Sequence, residues 1–184
     1  MRLEPLEPHH EDALWEVAQD ERSWALMRVV ASESRAIFDE WFRDMQASAL
    51  GFAHLVDGRV MGHTSYLNVR EVDRVVEIGN TWLNPAAWGT GANTEAKLLL
   101  MQHAFEEEGF LRVEFKTDAR NGRARAALAA LPAVFEGVFR KHMLVRSGER
   151  RDSAWYAVID DDWPAVKANL EKKLADSGAG ASGA

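Results

Sequence analysis

Apolar residues recur along this chain at two spacings, every second position and every third or fourth. Where the spacing changes, one element gives way to the next. Arg2–Leu6 alternates polar and apolar residues and predicts a short strand. A helix follows over roughly Glu11–Gln19, with Leu14, Val17 and Ala18 on one face. A second is predicted over about Glu33–Ala47, where Ile37, Trp41 and Met45 are spaced by four. In FAHLVDGRVMGHTSYLNV, residues 52–69, two apolar runs flank Asp57-Gly58. That pair predicts a hairpin, because tight hairpin turns need positive φ. REVDR at 70–74 is a polar turn, and VVEIGNTWL at 75–83 is apolar on both faces, as a central strand is.

The pattern then breaks at NPAAWGTGANTEAK, residues 84–97, and resumes with helical spacing from about Gly91 to Glu108. Gly109 is the expected residue just past a helix end. RVEFKTD at 112–118 predicts another strand. Asn121 suits the N-cap of an Ala-rich helix that ends before Pro132. VFEGVFRKHMLV at 134–145 and SAWYAVI at 153–159 form a closing pair of strands. Asp162 caps a last helix, with Pro164 in its first turn and Lys172-Lys173 near its end. The order β-α-α-β-β-β-α-β-α-β-β-α predicts a mixed α/β fold. An antiparallel meander comes first, then a β-α-β unit whose strands are parallel. Residues 1–176 are expected to be a single domain, and SGAGASGA at 177–184 a flexible C-terminal tail.

The glycine turn is where chemistry enters. A helix start carries unpaired N–H groups and partial positive charge, so it is an anion site in waiting. Gly89, Thr90, Gly91, Ala92 and Asn93 would present several such groups together. A glycine-rich turn with no ligand fits the same residues. The nucleotide signatures do not: GxxxxGK[ST] is absent, and Gly89-x-Gly91 has no third glycine to complete GxGxxG.

Composition narrows the choice of function. A net charge of −7 argues against broad nucleic-acid binding; RNGRAR at 120–125 and RSGERR at 146–151 read as solvated charge, or as a local patch that would suit a small polyanionic cofactor. No apolar run approaches the ~20 residues of a membrane span. The N-terminus MRLEPLEPHHED has no signal-peptide core, so the cytoplasm is the expected location. With no cysteine there is no thiolate nucleophile or thiolate metal site. Six histidines without paired spacing give no expectation of a metal.

The order of these motifs resembles the GNAT superfamily of acetyl-CoA-dependent N-acyltransferases, in the branch of the ribosomal-protein N-terminal acetyltransferases. The family's phosphate loop, [Q/R]-x-x-G-x-[G/A], falls on Trp88, Gly89, Thr90, Gly91, Ala92 and Asn93, and Thr94-Glu95-Ala96 continues it. EIGNTWL at 77–83 is similar to the branch's strand before that loop, and Asn121 and FEGVFRKHM match its later features. Trp88 stands where the pattern has Gln or Arg, Asn93 where it has a small residue, Ala124 where the branch often has Ser, and Pro132 where it has Gly. Leu128 stands where many members have a Tyr acting as general acid.

The resemblance implies a mostly antiparallel sheet with a parallel β-α-β core flanked by helices. It also implies acetyl-CoA as donor and direct attack by an amine, at a protein N-terminus or on a small molecule. Thr81, Trp82 and Leu83 would hold the pantetheine through backbone groups, residues 88–94 the pyrophosphate, and Asn121 the cofactor arm. Trp24, Met27 and Arg28 would lie on the acceptor side, with His63 and Tyr66 near it or simply part of their strand. Glu77 is the candidate base: a carboxylate among Val75, Val76, Ile78 and Trp82 needs a partner, a water channel or a shifted pKa. The alternative is a glutamate paired with an arginine or reaching solvent at a strand end. A CoA-binding sensor with little transferase activity is the alternative function. Trp155, near a terminal strand, leaves a homodimer open.

Overall fold

The computed structural model describes residues 1–145 and 148–181, with side chains described through Ser177. Its strands are β1 (Arg2–Pro5), β2 (Leu50–Val56), β3 (Arg59–Arg70), β4 (Val75–Leu83), β5 (Arg112–Asp118), β6 (Val134–Val145) and β7 (Glu149–Ile159). Its helices are α1 (Glu11–Val17), α2 (Arg35–Ser48), α3 (Ala92–Gln102), α4 (Gly122–Ala130) and α5 (Trp163–Ala181). The strands make one sheet in the order β1-β2-β3-β4-β5-β7-β6. Neighbours are antiparallel except β4 and β5, which are parallel and joined through α3. The mixed α/β architecture and its parallel unit are therefore those the pattern predicts.

Each face of the sheet carries its own core. On one side Leu100 and Met101 of α3 and Val166 and Leu170 of α5 bury against Val76, Ile78, Val113 and Phe115. Burying each such side chain is worth about 1.5–3 kcal/mol. On the other side α1 and α2 bring Leu14, Phe38, Trp41 and Phe42 together with Trp24 and Trp82. The Trp24 ring centroid lies 4.7 Å from that of Trp82 and 5.6 Å from that of Trp41.

Trp82 reaches that second core only because β4 contains a bulge. Strict alternation would put Val76, Ile78 and Trp82 on one face. Ser65 pairs with Gly79 but His63 with Trp82, so β4 holds one extra residue there. Asn80 takes up the insertion with φ +49°. A one-residue insertion reverses every later side chain, and this one sends Trp82 to the opposite face.

Two helix ends differ from expectation. The helix predicted to Glu108 is α-helical only to Gln102 and widens into a π-helical turn over His103–Glu107. Tyr66, from β3, donates its hydroxyl to the Leu100 carbonyl just before the change. A side chain that intrudes on the ladder in this way is an ordinary cause of such distortions. At the C-terminus, α5 continues to Ala181, past the start of the predicted tail. Propagation adds one bond per residue once a helix is nucleated, and alanine favours it. Residues 182–184 lie outside the described residues, as do Arg146 and Ser147 of the basic run at 146–151.

Candidate active site

The site begins where β4 and β5 part. They pair at Val75 with Arg112, Val76 with Val113 and Glu77 with Glu114, and no further. Beyond Glu77, β4 keeps only β3 beside it; beyond Glu114, β5 keeps only β7. The fork opens into a cleft of about 1440 Å³, which reaches from the glycine turn to Glu77.

The turn is held by local bonds. Asn84 accepts from the Ala86 amide (2.9 Å) and donates to the Val17 carbonyl (2.9 Å), fixing the short Pro85–Ala87 turn. Thr90 Oγ1 donates to the Ala87 carbonyl at 2.8 Å. Gly89 (φ +77°) and Gly91 (φ +86°) occupy the left-handed region, where a side chain would be strained. In front of Gly89 there is open space within 4 Å of where a Cβ would sit. Gly91 then caps α3, whose first amides, Asn93 and Thr94 among them, have no residue four earlier within the helix to bond to. Asn93 Oδ1 is buried there with no partner. Backbone donors and open space together suit a phosphate group.

Trp88 faces inward instead of offering a polar group. Its indole donates to the Leu83 carbonyl at 2.9 Å, and Ser23 donates to the same carbonyl at 3.0 Å. That oxygen is therefore committed within the protein. The Arg123 guanidinium lies over Trp88, 3.4 Å from the ring centroid, tying the start of α4 to the turn across the cleft. Asn121 is the predicted N-cap of α4, its Oδ1 accepting from the Ala124 amide at 3.0 Å, and it lines the cleft. Thr81 meets Thr64 through their hydroxyls at 2.8 Å. Trp82 is packed in the aromatic core, so only its backbone is near the fork.

At the other end, Glu77 is 1% exposed and fully engaged. Lys116 Nζ lies 2.5 and 2.7 Å from its two carboxylate oxygens, and Asn68 Nδ2 donates at 2.7 Å. The alternative expectation for Glu77 is an arginine partner; its partner is a lysine on the neighbouring strand β5. Gly79 makes room: a Cβ there would stand 3.0 Å from Glu77 Oε1. Lys116 also lies over the half-buried Trp155 ring, 5.3 Å from its centroid. Trp24, Met27 and Arg28 line the cleft. His63 and Tyr66 are ordinary strand residues. His63 is buried against Trp41 and bonded to the Asn80 carbonyl, and burial pushes its pKa down to about 4.

Sequence reasoning missed Asn68, Lys97, Lys116 and Arg123. Lys97 left one signal: it sits four residues after Asn93 on a helix whose buried positions are otherwise mainly apolar. Glu4, His9 and His10 come within metal-binding distance of one another, away from the cleft. Both His10 nitrogens are already engaged, by the Glu7 amide (3.1 Å) and by Glu4 (3.0 Å). Of RNGRAR, Arg120 is paired with Asp118 and Glu149, and Arg125 with the Tyr156 hydroxyl.

A sheet forked at its parallel pair, with a glycine-capped helix start at the mouth of the fork, defines an acetyltransferase-type domain. The chain belongs to the GNAT acetyltransferase family: the acetyltransferase (GNAT) domain profile matches residues 1–133. It is similar to a GCN5-related N-acetyltransferase from Brucella melitensis at 32% identity and TM-score 0.88, covering 94% of this chain and 81% of that one. A T. thermophilus protein described as an acetyltransferase matches at 35% identity and TM-score 0.87, covering 94% and 93%. Mycobacterium smegmatis RimJ, solved in complex with CoA-disulfide, shares the fold at TM-score 0.77 and 21% identity, covering 93% and 88%. Comparison with curated proteins gives no match. No described helix is long and apolar enough to cross a membrane.

Proposed function

We propose that this acetyltransferase moves an acetyl group from acetyl-CoA to a primary amine, at a protein N-terminus or on a small molecule, in the cytoplasm. The observation that carries this reading is the continuity of the cleft, from the glycine turn through the fork to Glu77. The donor would supply a thioester whose carbonyl carbon the amine attacks; the C–N bond forms, the C–S bond breaks and the thiol leaves. The backbone amides at 88–94 bind pyrophosphate, and Asn93 Nδ2 adds a donor. Thr81 and Trp82 hold the pantetheine arm by backbone groups freed at the fork, with the Leu83 N–H beside them. Asn121 contacts the arm from α4. The acceptor comes in past Trp24, Met27 and Arg28, and Glu77 receives the amine's proton through water or orients that water.

The engagement of Glu77 by Lys116 and Asn68 supports a second reading, a CoA-binding sensor or interaction module with little transferase activity. A thiol-release assay with acetyl-CoA and a panel of amines and peptides separates the two. Thiol release that depends on an amine is the expected result. Binding of acetyl-CoA without release would leave the sensor. We place no metal, nucleic acid or membrane in this function, and a homodimer is compatible with it.

A further inference from the structure

Lys97 is the only buried lysine among the described residues, at 9% exposure. No hydrogen bond or ion pair reaches it from any described residue. Its ammonium lies 5.4 Å from the ring centroid of Phe115, the first β5 residue past the fork. His54 of β2 also lies near it; its two ring nitrogens are buried and unpartnered, and burial pushes its pKa down to about 3. No carboxylate answers the charge, and burial pushes the Lys97 pKa down to about 8.

An unpaired buried ammonium is costly, and an apolar side chain of the same length would pack there at no such cost. Lys97 is kept where its side chain lines the same cleft as the glycine turn. It stands one helical turn behind Asn93, a cleft residue whose Oδ1 is buried without a partner. Helical side chains lean toward the helix N-terminus, so Lys97 extends toward Asn93 and the turn.

We propose that Lys97 is a ligand-binding cation, its ammonium donating to a phosphate or carbonyl oxygen of the acyl-CoA donor. It brings from inside α3 the positive charge that Trp88 does not bring to the turn. This assignment rests on the acetyl-CoA reading of the cleft. Lys97 binds and positions; it takes no part in bond making.

The test compares wild type, Lys97→Met and Lys97→Arg by thermal unfolding and by calorimetric titration with coenzyme A, its nucleotide half and pantetheine. Lys97→Met is expected to raise the melting temperature of the free protein by roughly 2–4 °C. It is expected to weaken coenzyme A binding about 10- to 100-fold, with Lys97→Arg in between. A loss shared with the nucleotide half assigns a phosphate oxygen; a loss shared with pantetheine assigns a carbonyl. A dissociation constant for Lys97→Met within about twofold of wild type overturns the proposal, as does a lowered melting temperature, which marks a structural lysine. Wild type that binds no coenzyme A refutes the reading of the cleft itself, whatever the variants do. If Lys97→Met does not fold, Lys97→Arg decides on affinity alone.

Discussion

The two ends of the cleft are built by different means. The proposed donor end is made mainly of backbone: two left-handed glycines, a short turn held by Asn84 and Thr90, and the first amides of α3. Its parts lie within a dozen residues of one another. The proposed acceptor end is made of side chains brought from far apart. Glu77 meets Lys116 across 39 positions, and Trp24 meets Trp82 from a distant part of the chain. The backbone part of the donor end tolerates changes of side chain but not of φ. A site built on a buried ion pair fails when either partner is lost. The donor end should therefore control affinity for the cofactor, and the acceptor end turnover.

The largest effect is expected at the acceptor end. Lys116→Met leaves the Glu77 carboxylate buried without its cation and should cost about 3–5 kcal/mol of stability in urea unfolding. Pairing it with Glu77→Gln should recover much of that loss. Glu77→Gln alone preserves shape and should lower turnover by about 100-fold while leaving the coenzyme A dissociation constant unchanged. Equal turnover in the two proteins would remove Glu77 from the mechanism.

Smaller effects are expected at the donor end, and in affinity. Gly91→Ala puts a side chain at φ +86°, with Leu174 Cδ2 3.5 Å from the new Cβ. The backbone strain of about 1–2 kcal/mol should appear as weaker coenzyme A binding in calorimetry, with turnover at saturation little changed. Arg123→Ala removes a stacking contact worth about 0.5–1 kcal/mol and should loosen the turn by no more than that. A fall in turnover larger than the fall in affinity in either variant would erase the distinction between the ends.

The same contrast explains what could be read from the sequence. Gly89, Gly91, the Asn121 cap and the strand before the turn are local signals, and the structure places them together at the mouth of the fork. The sheet was legible because alternation and the Asp57-Gly58 turn are local too. Lys116 and Asn68 gave no sign of their role, since nothing near them in sequence names Glu77 as their partner. The bulge at Asn80 was hidden because its left-handed φ is carried by asparagine and not glycine. The end of α3 was hidden because its cause, the Tyr66 hydroxyl, comes from 34 residues away. Trp88 could be seen as unusual, but not that its indole would occupy the Leu83 carbonyl.

Amide hydrogen exchange, measured with and without acetyl-CoA, tests most directly whether the glycine turn and the fork form one donor site. Acetyl-CoA should slow exchange in residues 88–94 and along 78–83 together, with little change in β1 and β2. No protection in those segments, or protection confined to another part of the molecule, would contradict it.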